Sequence, residues 1–492
     1  MVALLDCPPL AATAHANAPA LSSLVLVANR LPIQRSPQLD GGWSASPGGL
    51  VATLSQSLAD HGAAGGVTWV GWSGETGACE GLDLAAPFDG VRLVPLELER
   101  DDINGFYHGF SNATLWPLYH DVIRPPIYNR EWWDRYVGVN RRYAETAARH
   151  AAPGGAVWVH DYQLQLVPCM LRELRPDLRI GFFLHIPYPP QELFMQMPWR
   201  REVIEGLLGA DVVGFQLPVA AQNFAVLARR LTSASGSLPE LEYQGRRIHV
   251  GAYPVSIDMA RFEEVATRTD VIAQSKLLRE QLGNPRVLLA GVDRLDYTKG
   301  IEPRLQAFRE LLAEGSLAAP DCSMVQIAVP SRDKSPGYAD ERERIERLVG
   351  EINGDYGRMG SPAVHYLHRN LDLEDLVALY ITADVMLVTP YRDGMNLVAK
   401  EYVASRLDGS GSLVLSEFAG AARELHAAIL VNPHDLDGLK EGILRAVRTP
   451  MRDARRRMRA LRRAVFSWTA SDWADRFLGD LDGTAAAYSC RG

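Results

Sequence analysis

The 492 residues exceed what one hydrophobic core supports, so two domains are expected, and the net charge of −8 argues against a general nucleic-acid binder. The five cysteines lack metal-ligand spacing, no apolar run approaches the roughly 18–20 residues that span a bilayer, and no basic residue precedes Arg30. A disulfide scaffold, a structural metal, a membrane span and a secretory signal are therefore not expected, and we predict a cytoplasmic protein, in which locally basic pockets can still bind anionic metabolites.

Short β-branched runs alternate with helical segments along most of the chain, which is typical of parallel sheets covered by helices. After a predicted disordered leader, residues 1–22, the strand runs of a first domain, residues 23–255, are 24–27, 67–70, 157–159, 180–184 and 212–215. Those of a second domain, residues 256–465, are 287–290, 325–328, 364–367, 385–388, 413–415 and 428–431. A last helix, in residues 466–492, is predicted to have a Ser471 cap and to cross back onto the first domain. The fold class is thus α/β with two doubly wound, Rossmann-like domains.

Two strand ends of the second domain carry polar groups suited to a nucleotide sugar. After the run 385–388, Gly394 permits a tight turn into a helix, whose first N–H groups can hold phosphate. Asp393 and Glu401 can accept hydrogen bonds from sugar hydroxyls. At the other strand end, Arg294 and Lys299 could neutralise a diphosphate.

Each of these strand ends, taken singly, also fits an ordinary turn or a surface ion pair. Both lie at one edge of one sheet, however, and open α/β sheets bind ligands at that edge. A third strand end offers Arg332, which also fits a helix cap or a surface arginine.

The first domain offers polar and aromatic groups toward the same cleft. Arg30 ends the opening strand, Gly48 and Gly49 precede a predicted helix, and Asp161 and His185 end two further strands. A buried histidine bonded to backbone is the structural alternative for His185. Aromatic faces suit sugar rings, although core packing also explains any one of them; the candidates are Trp72, Tyr107 and Trp116.

The chain has no GxGxxG, GxxxxGK[ST], HExxH or GxSxG pattern, which disfavours dehydrogenases, kinases, zinc proteases and serine hydrolases. Asp435 and Asp437 match the DxD pattern of metal-dependent sugar transferases. They follow a late strand, and a polar loop is expected there instead.

A series of motifs, in order over residues 23 to about 480, resembles the trehalose-6-phosphate synthase family. The matching segments are 27–30, 48–50, 71–74, 160–162, 184–187, 294–300 and 392–401. The resemblance implies a GT-B fold, with its two domains facing across a cleft. It also implies a retaining transfer of glucose from UDP-glucose to glucose 6-phosphate, which forms α,α-trehalose 6-phosphate and UDP without a metal or other cofactor.

The resemblance further implies the roles of individual residues. The catalytic group is Arg294, Lys299, Asp393 and His185. Donor binding adds Gly48, Gly49, Leu371, Gly394, Met395, Asn396, Leu397, Val398 and Glu401. Acceptor binding is assigned to Arg30, Trp72, Tyr107, Trp116, Asp161, Ile186 and Arg332.

Alternative functions stay open on the sequence. One is a glucosylglycerol-phosphate synthase, although Tyr107, Trp116, Asp161 and Arg332 favour a hexose phosphate acceptor. Others are a catalytically silent sugar-phosphate sensor, and a nucleotide-sugar epimerase or hydrolase of GT-B type. The sequence departs from the family in its leader, in residues 34–46 and at Ala28, where Ser is frequent. It leaves open a homo-oligomer (dimer or tetramer) and the strictness for UDP.

Overall fold

The computed structural model of the chain describes residues 21–35, 43–45, 66–77, 91–331 and 338–489. Residues 1–20 of the predicted leader, Gly48, Gly49 and Arg332 lie outside these ranges. Ser22 already belongs to the first strand. The predicted domain limits stay predictions.

The described residues form two large sheets and one short hairpin. The first sheet has nine strands in the order β5-β4-β1-β6-β7-β8-β11-β10-β9, and the second has six in the order β14-β13-β12-β15-β16-β17. The strands are β1 (Ser22–Arg30), β2 (Ile33–Arg35), β3 (Trp43–Ala45), β4 (Val67–Trp72), β5 (Val91–Leu96), β6 (Ala151–His160), β7 (Arg179–Phe183), β8 (Val212–Phe215), β9 (Ser235–Ser237), β10 (Glu240–Tyr243), β11 (Arg246–Ala252), β12 (Val287–Arg294), β13 (Cys322–Val329), β14 (Val364–Leu367), β15 (Val385–Val388), β16 (Ser412–Ser416) and β17 (Ile429–Val431).

Every strand pair of the second sheet is parallel. The first sheet is parallel from β5 to β11 and antiparallel only at β10 and β9. The central strands are buried on both faces, as in β12, where only the last residue is exposed. This confirms the predicted α/β class with two parallel sheets. Each predicted apolar run lies within a strand or extends beyond it by one residue.

Helices cover the two sheets and connect their strands. They are α1 (Arg100–Asp102), α2 (Trp116–Tyr119), α3 (Arg130–His150), α4 (Val167–Leu174), α5 (Gln191–Phe194), α6 (Arg200–Leu207), α7 (Pro218–Leu231), α8 (Met259–Thr267), α9 (Thr269–Gln281), α10 (Ile301–Ala313), α11 (Tyr338–Tyr356), α12 (Leu373–Thr382), α13 (Leu397–Ser405), α14 (Leu436–Arg448), α15 (Met451–Phe466) and α16 (Ala470–Ser489). A π-helix, Ile103–Leu115, joins α1 to α2, and a short 3₁₀ turn, Tyr297–Lys299, precedes α10.

The last helix, α16, packs against β7 and β8 of the first sheet. The Phe477 ring stacks on Trp158 with centroids 4.7 Å apart. The predicted Ser471 cap is wrong, because Thr469 caps the helix: its hydroxyl accepts the Asp472 N–H at 3.2 Å, and the Asp472 carboxylate accepts the Thr469 N–H at 2.8 Å.

No helix in the described part of the chain combines the length and the apolar character needed to cross a membrane.

Glycine at position 181 is required by the packing of α16. A Cβ added to Gly181 would lie 2.6 Å from Phe477 Cε1, whereas one added to Gly479, on the helix itself, would meet no atom within 4 Å. We expect Gly181→Ala to lower the free energy of unfolding by about 1–3 kcal/mol through overpacking. The matched control Gly479→Ala should leave it unchanged or raise it by about 0.5–1 kcal/mol. Urea denaturation measures both, and equal stabilities would contradict the docking of α16.

Candidate active site

The carboxyl ends of the parallel strands in both sheets face one cavity of about 540 Å³. A cavity of this size suits a small organic ligand. Its lining brings together most of the residues singled out from the sequence, from both sheets: Arg30, Tyr107, Trp116, Asp161, His185, Ile186, Arg294, Lys299, Asp393, Met395, Asn396, Leu397, Val398 and Glu401.

Of the predicted site residues that the structure describes, three do not line this cavity. Leu371 lies just before α12, packed against the core of the second sheet. Trp72, 3% exposed, lies behind Arg30 and Tyr107, and Trp69 lines the cavity on that side. Gly394 lies where the two halves of the molecule touch.

Gly394 lies in a bend of the loop before α13, but the bend does not use the conformational freedom of glycine. Its backbone lacks a positive φ, and the residue of this loop that has one is Asn396, at φ 76°. A Cβ on Gly394 would lie 2.3 Å from the His185 carbonyl oxygen and 3.1 Å from Ile186 Cα. Glycine is therefore needed because the loop before α13 directly contacts the segment after β7.

The Lys299 ammonium and the Asp393 carboxylate form an ion pair inside the cavity. Lys299 Nζ lies 2.5 Å from Asp393 Oδ2, and the Asn396 amide donates to the same oxygen at 3.1 Å. Burial alone would raise the pKa of Asp393, but the Lys299 charge and these hydrogen bonds outweigh it and hold the pKa below its usual range. The Asp393 carboxylate is therefore ionised, and its Oδ2 already accepts hydrogen bonds from Lys299 and Asn396.

Arg294 ends β12 with an exposed side chain. Its guanidinium carbon lies 5.5 Å from the centroid of the Trp116 ring, which belongs to the half of the molecule built on the first sheet. A cation is thus held over the cavity beside Lys299.

Arg304, which the sequence reading missed, anchors these strand ends from below. Its side chain is fully buried and donates to Asp293 Oδ2 at 2.7 Å, Gln326 Oε1 at 3.2 Å and Thr389 Oγ1 at 3.1 Å. It also donates to the Lys299 carbonyl at 3.1 Å. These partners come from the end of β12, from the middle of β13, from the 3₁₀ turn and from the residue after β15. The sequence alone does not distinguish this arginine, which lies on a helix and faces the sheet, from an arginine on the solvent-exposed side of the helix.

The helix α13 places two ionisable groups with different functions. Glu401 lines the cavity and accepts the Tyr380 hydroxyl at 2.8 Å, and burial raises its pKa. Lys400 is buried on the opposite side, where it donates to the Val255 carbonyl at 3.0 Å and pairs with Glu424 at 2.8 Å. Lys400 therefore ties α13 to the segment that follows the first sheet.

The other side of the cavity presents Arg30. Its guanidinium carbon lies 4.8 Å from the Trp72 centroid, and the Trp72 and Tyr107 rings meet edge to face at 5.6 Å. Trp72 donates its indole N–H to the Glu75 carbonyl at 2.7 Å. Trp72 thus orients Arg30 and Tyr107 from behind.

His120 is a cavity residue that the sequence reading missed. Its ring packs against Trp116 at an interplanar angle of 33° with centroids 4.1 Å apart, and its Nδ1 lies 2.8 Å from the Trp116 carbonyl oxygen. Burial lowers its pKa to about 4, so the ring is neutral at pH 7. The spacing of four residues from Trp116 could have indicated this contact on a helix.

Asp161 and Asn396 have positive φ angles, 75° and 76°, on opposite sides of the cavity. Such backbone conformations cost free energy in residues other than glycine and concentrate at functional sites. Asp161 Oδ1 accepts the His185 N–H at 3.2 Å, so this strained turn also fixes the start of the segment after β7.

Among the described residues, no three or more His, Cys, Asp or Glu side chains are grouped to bind a metal ion. The polar loop expected at Asp435 and Asp437 is a helix start: Asp435 caps α14 by accepting the Gly438 N–H at 3.0 Å, and Asp437 pairs with Lys440 at 3.0 Å. The DxD pattern is thus explained by helix capping.

A family model, a sequence relative and two solved structures all relate the chain to the same family of glycosyltransferases. The model of Glycosyltransferase family 20 matches residues 22–483. The trehalose-6-phosphate synthase of Mycolicibacterium gilvum is 55% identical over 477 residues, which cover 94% of each chain. The structure of the UDP-forming α,α-trehalose-phosphate synthase of Burkholderia xenovorans in complex with glucose 6-phosphate is 34% identical, with a TM-score of 0.84 over 93% of this chain and 99% of that one. An Escherichia coli protein bound with UDP-2-fluoro glucose is 33% identical, with a TM-score of 0.84 over 93% of this chain and 98% of that one.

The buried Arg304–Asp293 pair yields a stability prediction. Arg304→Met leaves the Asp293 charge buried without its partner, so we expect the free energy of unfolding to fall by about 3–5 kcal/mol. Adding Asp293→Asn should recover part of the loss. The control Arg309→Met, on the same helix, removes a half-exposed pair with Glu351 and should cost about 1 kcal/mol or less. Chemical denaturation measures these changes, and an Arg304 variant no weaker than the control would contradict the anchoring role.

Proposed function

Because the chain belongs to glycosyltransferase family 20, we propose that it transfers glucose from UDP-glucose to glucose 6-phosphate, forming α,α-trehalose 6-phosphate and UDP. The observation that carries this proposal is the distribution of charge in the cavity. Two cations and a helix N-terminus gather on the side of the second sheet, and a third cation, Arg30, faces them from the first sheet. This suits two phosphorylated substrates in one cavity.

The donor is assigned to the side of the second sheet. The arrangement of Arg294, Lys299 and the N-terminus of α13 supports binding of a diphosphate, since all three favour negative charge. We assign Asp393 to Val398 and Glu401 to the glucose, phosphate and ribose of the donor, and Leu371 to the uracil. Gly48 and Gly49 are proposed to close over the donor.

The acceptor is assigned to the side of the first sheet. Arg30, Tyr107, Asp161 and Arg332 are proposed to bind glucose 6-phosphate, with Trp116 and Ile186 shaping the pocket around its anomeric carbon. Because Trp72 orients Arg30 and Tyr107 from behind, we assign it an indirect part in acceptor binding.

The reaction breaks the bond between the glucose anomeric carbon and the diphosphate oxygen of UDP, and forms a bond from that carbon to the anomeric oxygen of glucose 6-phosphate. We propose attack on the same face, with the leaving phosphate oxygen taking the acceptor proton. The engagement of the Asp393 carboxylate by Lys299 and Asn396 supports this, because a carboxylate so held is a poor nucleophile. Preorganised cations stabilise the departing UDP, and we propose that no metal takes part.

The roles of Arg294 and Lys299 are tested by Arg294→Ala and Lys299→Ala. Each should lower kcat on the order of 10²–10³-fold, because each removes a fixed positive charge from the leaving group. Arg286→Ala is the control, since Arg286 is an exposed arginine at the opposite end of β12 and should leave kcat unchanged. Circular dichroism verifies the folding of each variant. Unchanged turnover in either site variant would remove that residue from the mechanism.

The reaction itself is tested by UDP release from UDP-glucose with and without glucose 6-phosphate, with the product identified by mass and NMR. We expect release that depends on glucose 6-phosphate and a non-reducing disaccharide phosphate. UDP release without an acceptor would indicate a hydrolase, and conversion of the donor to another UDP-sugar without an acceptor an epimerase. Release only with glycerol 3-phosphate would indicate a glucosylglycerol-phosphate synthase. Binding without release would indicate a sugar-phosphate sensor.

A further inference from the structure

Two histidines from neighbouring strands share a hydrogen bond at the edge of the cavity. His160 ends β6 and His185 follows β7; His160 Nδ1 lies 3.1 Å from His185 Nε2, with the rings stacked at 5.3 Å. One nitrogen must donate and the other must accept. The bond therefore fixes where each ring carries its proton, provided that both rings are neutral.

Both rings are neutral at pH 7. Burial lowers the pKa of His185 to about 3, and burial together with the nearby His185 ring moves the pKa of His160 in the same direction. The surroundings are aromatic: Trp158 lies 4.6 Å from His160, and Phe183 4.7 Å from His185, between ring centroids. Charging either ring there would require a costly desolvation.

The remaining nitrogen of His160 decides between the two arrangements. His160 Nε2 is buried and meets no hydrogen-bond partner in the described part of the chain. If His185 donated the shared bond, His160 would carry its proton on Nε2, leaving a buried N–H without an acceptor. Its aromatic neighbours Trp158 and Trp473 have indole N–H donors and no acceptor. A buried lone pair is tolerated more often than a buried orphan N–H.

We propose that His160 donates from Nδ1 to His185 Nε2 and thereby holds the proton of His185 on Nδ1, so that His185 presents a neutral N–H donor to the cavity. His160 is then a positioning residue, which touches no substrate itself. His185 lines the cavity, and its Nδ1 is not among the buried atoms that lack a partner within the described ranges. The group that such a donor fits is a hydroxyl oxygen.

The backbone around His185 is held independently of this bond. The Asp161 carboxylate accepts the His185 N–H at 3.2 Å, and the Gln216 amide donates to the His185 carbonyl at 3.4 Å. Because the main chain is fixed at both groups, replacing His160 should change the proton position of His185 more than its location. That the Nδ1–H meets a hydroxyl of the transferred glucose rests on the function proposed above, whereas the tautomer does not.

The tautomer is measured first, in the full chain without substrate. Nitrogen chemical shifts of ¹⁵N-histidine-labelled protein distinguish a protonated from an unprotonated ring nitrogen, and His185→Gln and His160→Leu assign the two rings among the 12 histidines. We expect His185 protonated on Nδ1 and unprotonated on Nε2. A proton on His185 Nε2 would overturn the proposal, whatever the chain does with UDP-glucose.

Substitution then tests the consequence. His160→Leu removes the donor, so His185 should exchange between tautomers and kcat/KM for the donor substrate should fall by about tenfold, equivalent to about 1.4 kcal/mol. His160→Asn places an amide N–H near the position of Nδ1 and should restore kcat/KM to within about threefold. An Asn variant that is folded but as slow as the Leu variant would contradict the positioning role.

A control on another strand separates this effect from the general loss of a histidine whose Nε2 lacks a partner in the described part of the chain; His160 is fully buried and the control ring, His365, is half-buried. His365→Leu removes such a ring on β14, whose Nε2 also lacks a partner among the described residues and which does not line the cavity. It should leave the His185 tautomer and kcat/KM unchanged. If His160→Leu does not fold, the native tautomer measurement decides the question by itself. Absence of acceptor-dependent UDP release in the native chain would refute the proposed function and leave the tautomer result standing.

Discussion

The position of the cationic groups depends on one fully buried guanidinium. Arg304 donates to Asp293, Gln326 and Thr389, and so fixes the ends of β12 and β15 and the middle of β13 relative to one another. It also holds the Lys299 carbonyl, and the Lys299 ammonium in turn meets Asp393. A buried pair of this kind contributes little net stability compared with an apolar core of the same shape. Its value is positional, because planar donors fix several acceptors at once.

The backbone above Arg304 is constrained to match. A Cβ on Gly291 would lie 2.2 Å from Arg304 Nη1, and one on Gly300 would lie 2.1 Å from the Thr389 carbonyl oxygen. Gly300 also has φ 63°, a conformation that suits glycine. Glycine is thus needed at position 291 to leave room for the Arg304 side chain, and at position 300 to leave room for the Thr389 carbonyl.

Much of this could be predicted from sequence, because parallel strands buried on both faces appear as continuous apolar runs, such as 287–290. The residues at the ends of one sheet's strands then share an edge by topology alone, which is why Asp161 and His185 lie together. Arg294 belongs to the other sheet, and it lines the same cavity because the two sheet edges face each other. The support beneath them could not be predicted, because Arg304 lies on a helix and its partners are distant in sequence. Close contacts between distant segments of the chain could not be predicted for the same reason. Gly394 was interpreted only as a turn residue, whereas its backbone packs against His185, which is far away in the chain.

The two sides of the cavity differ in a way that suits a reaction with charge separation. In the proposed reaction, departure of a diphosphate leaves negative charge near Arg294 and Lys299 and positive charge on the sugar ring. A cationic imidazole beside that ring would oppose the reaction, so a histidine there must donate a hydrogen bond without carrying charge. Burial keeps His185 neutral, and a neutral imidazole has only one N–H. A second neutral histidine can direct that N–H into the cavity without adding charge. A carboxylate partner could also orient the ring, but it would favour the charged imidazolium. In the proposed mechanism, the aromatic environment supplied by Trp158 and by Trp473 of the returning C-terminal helix therefore contributes to catalysis as well as to the fold.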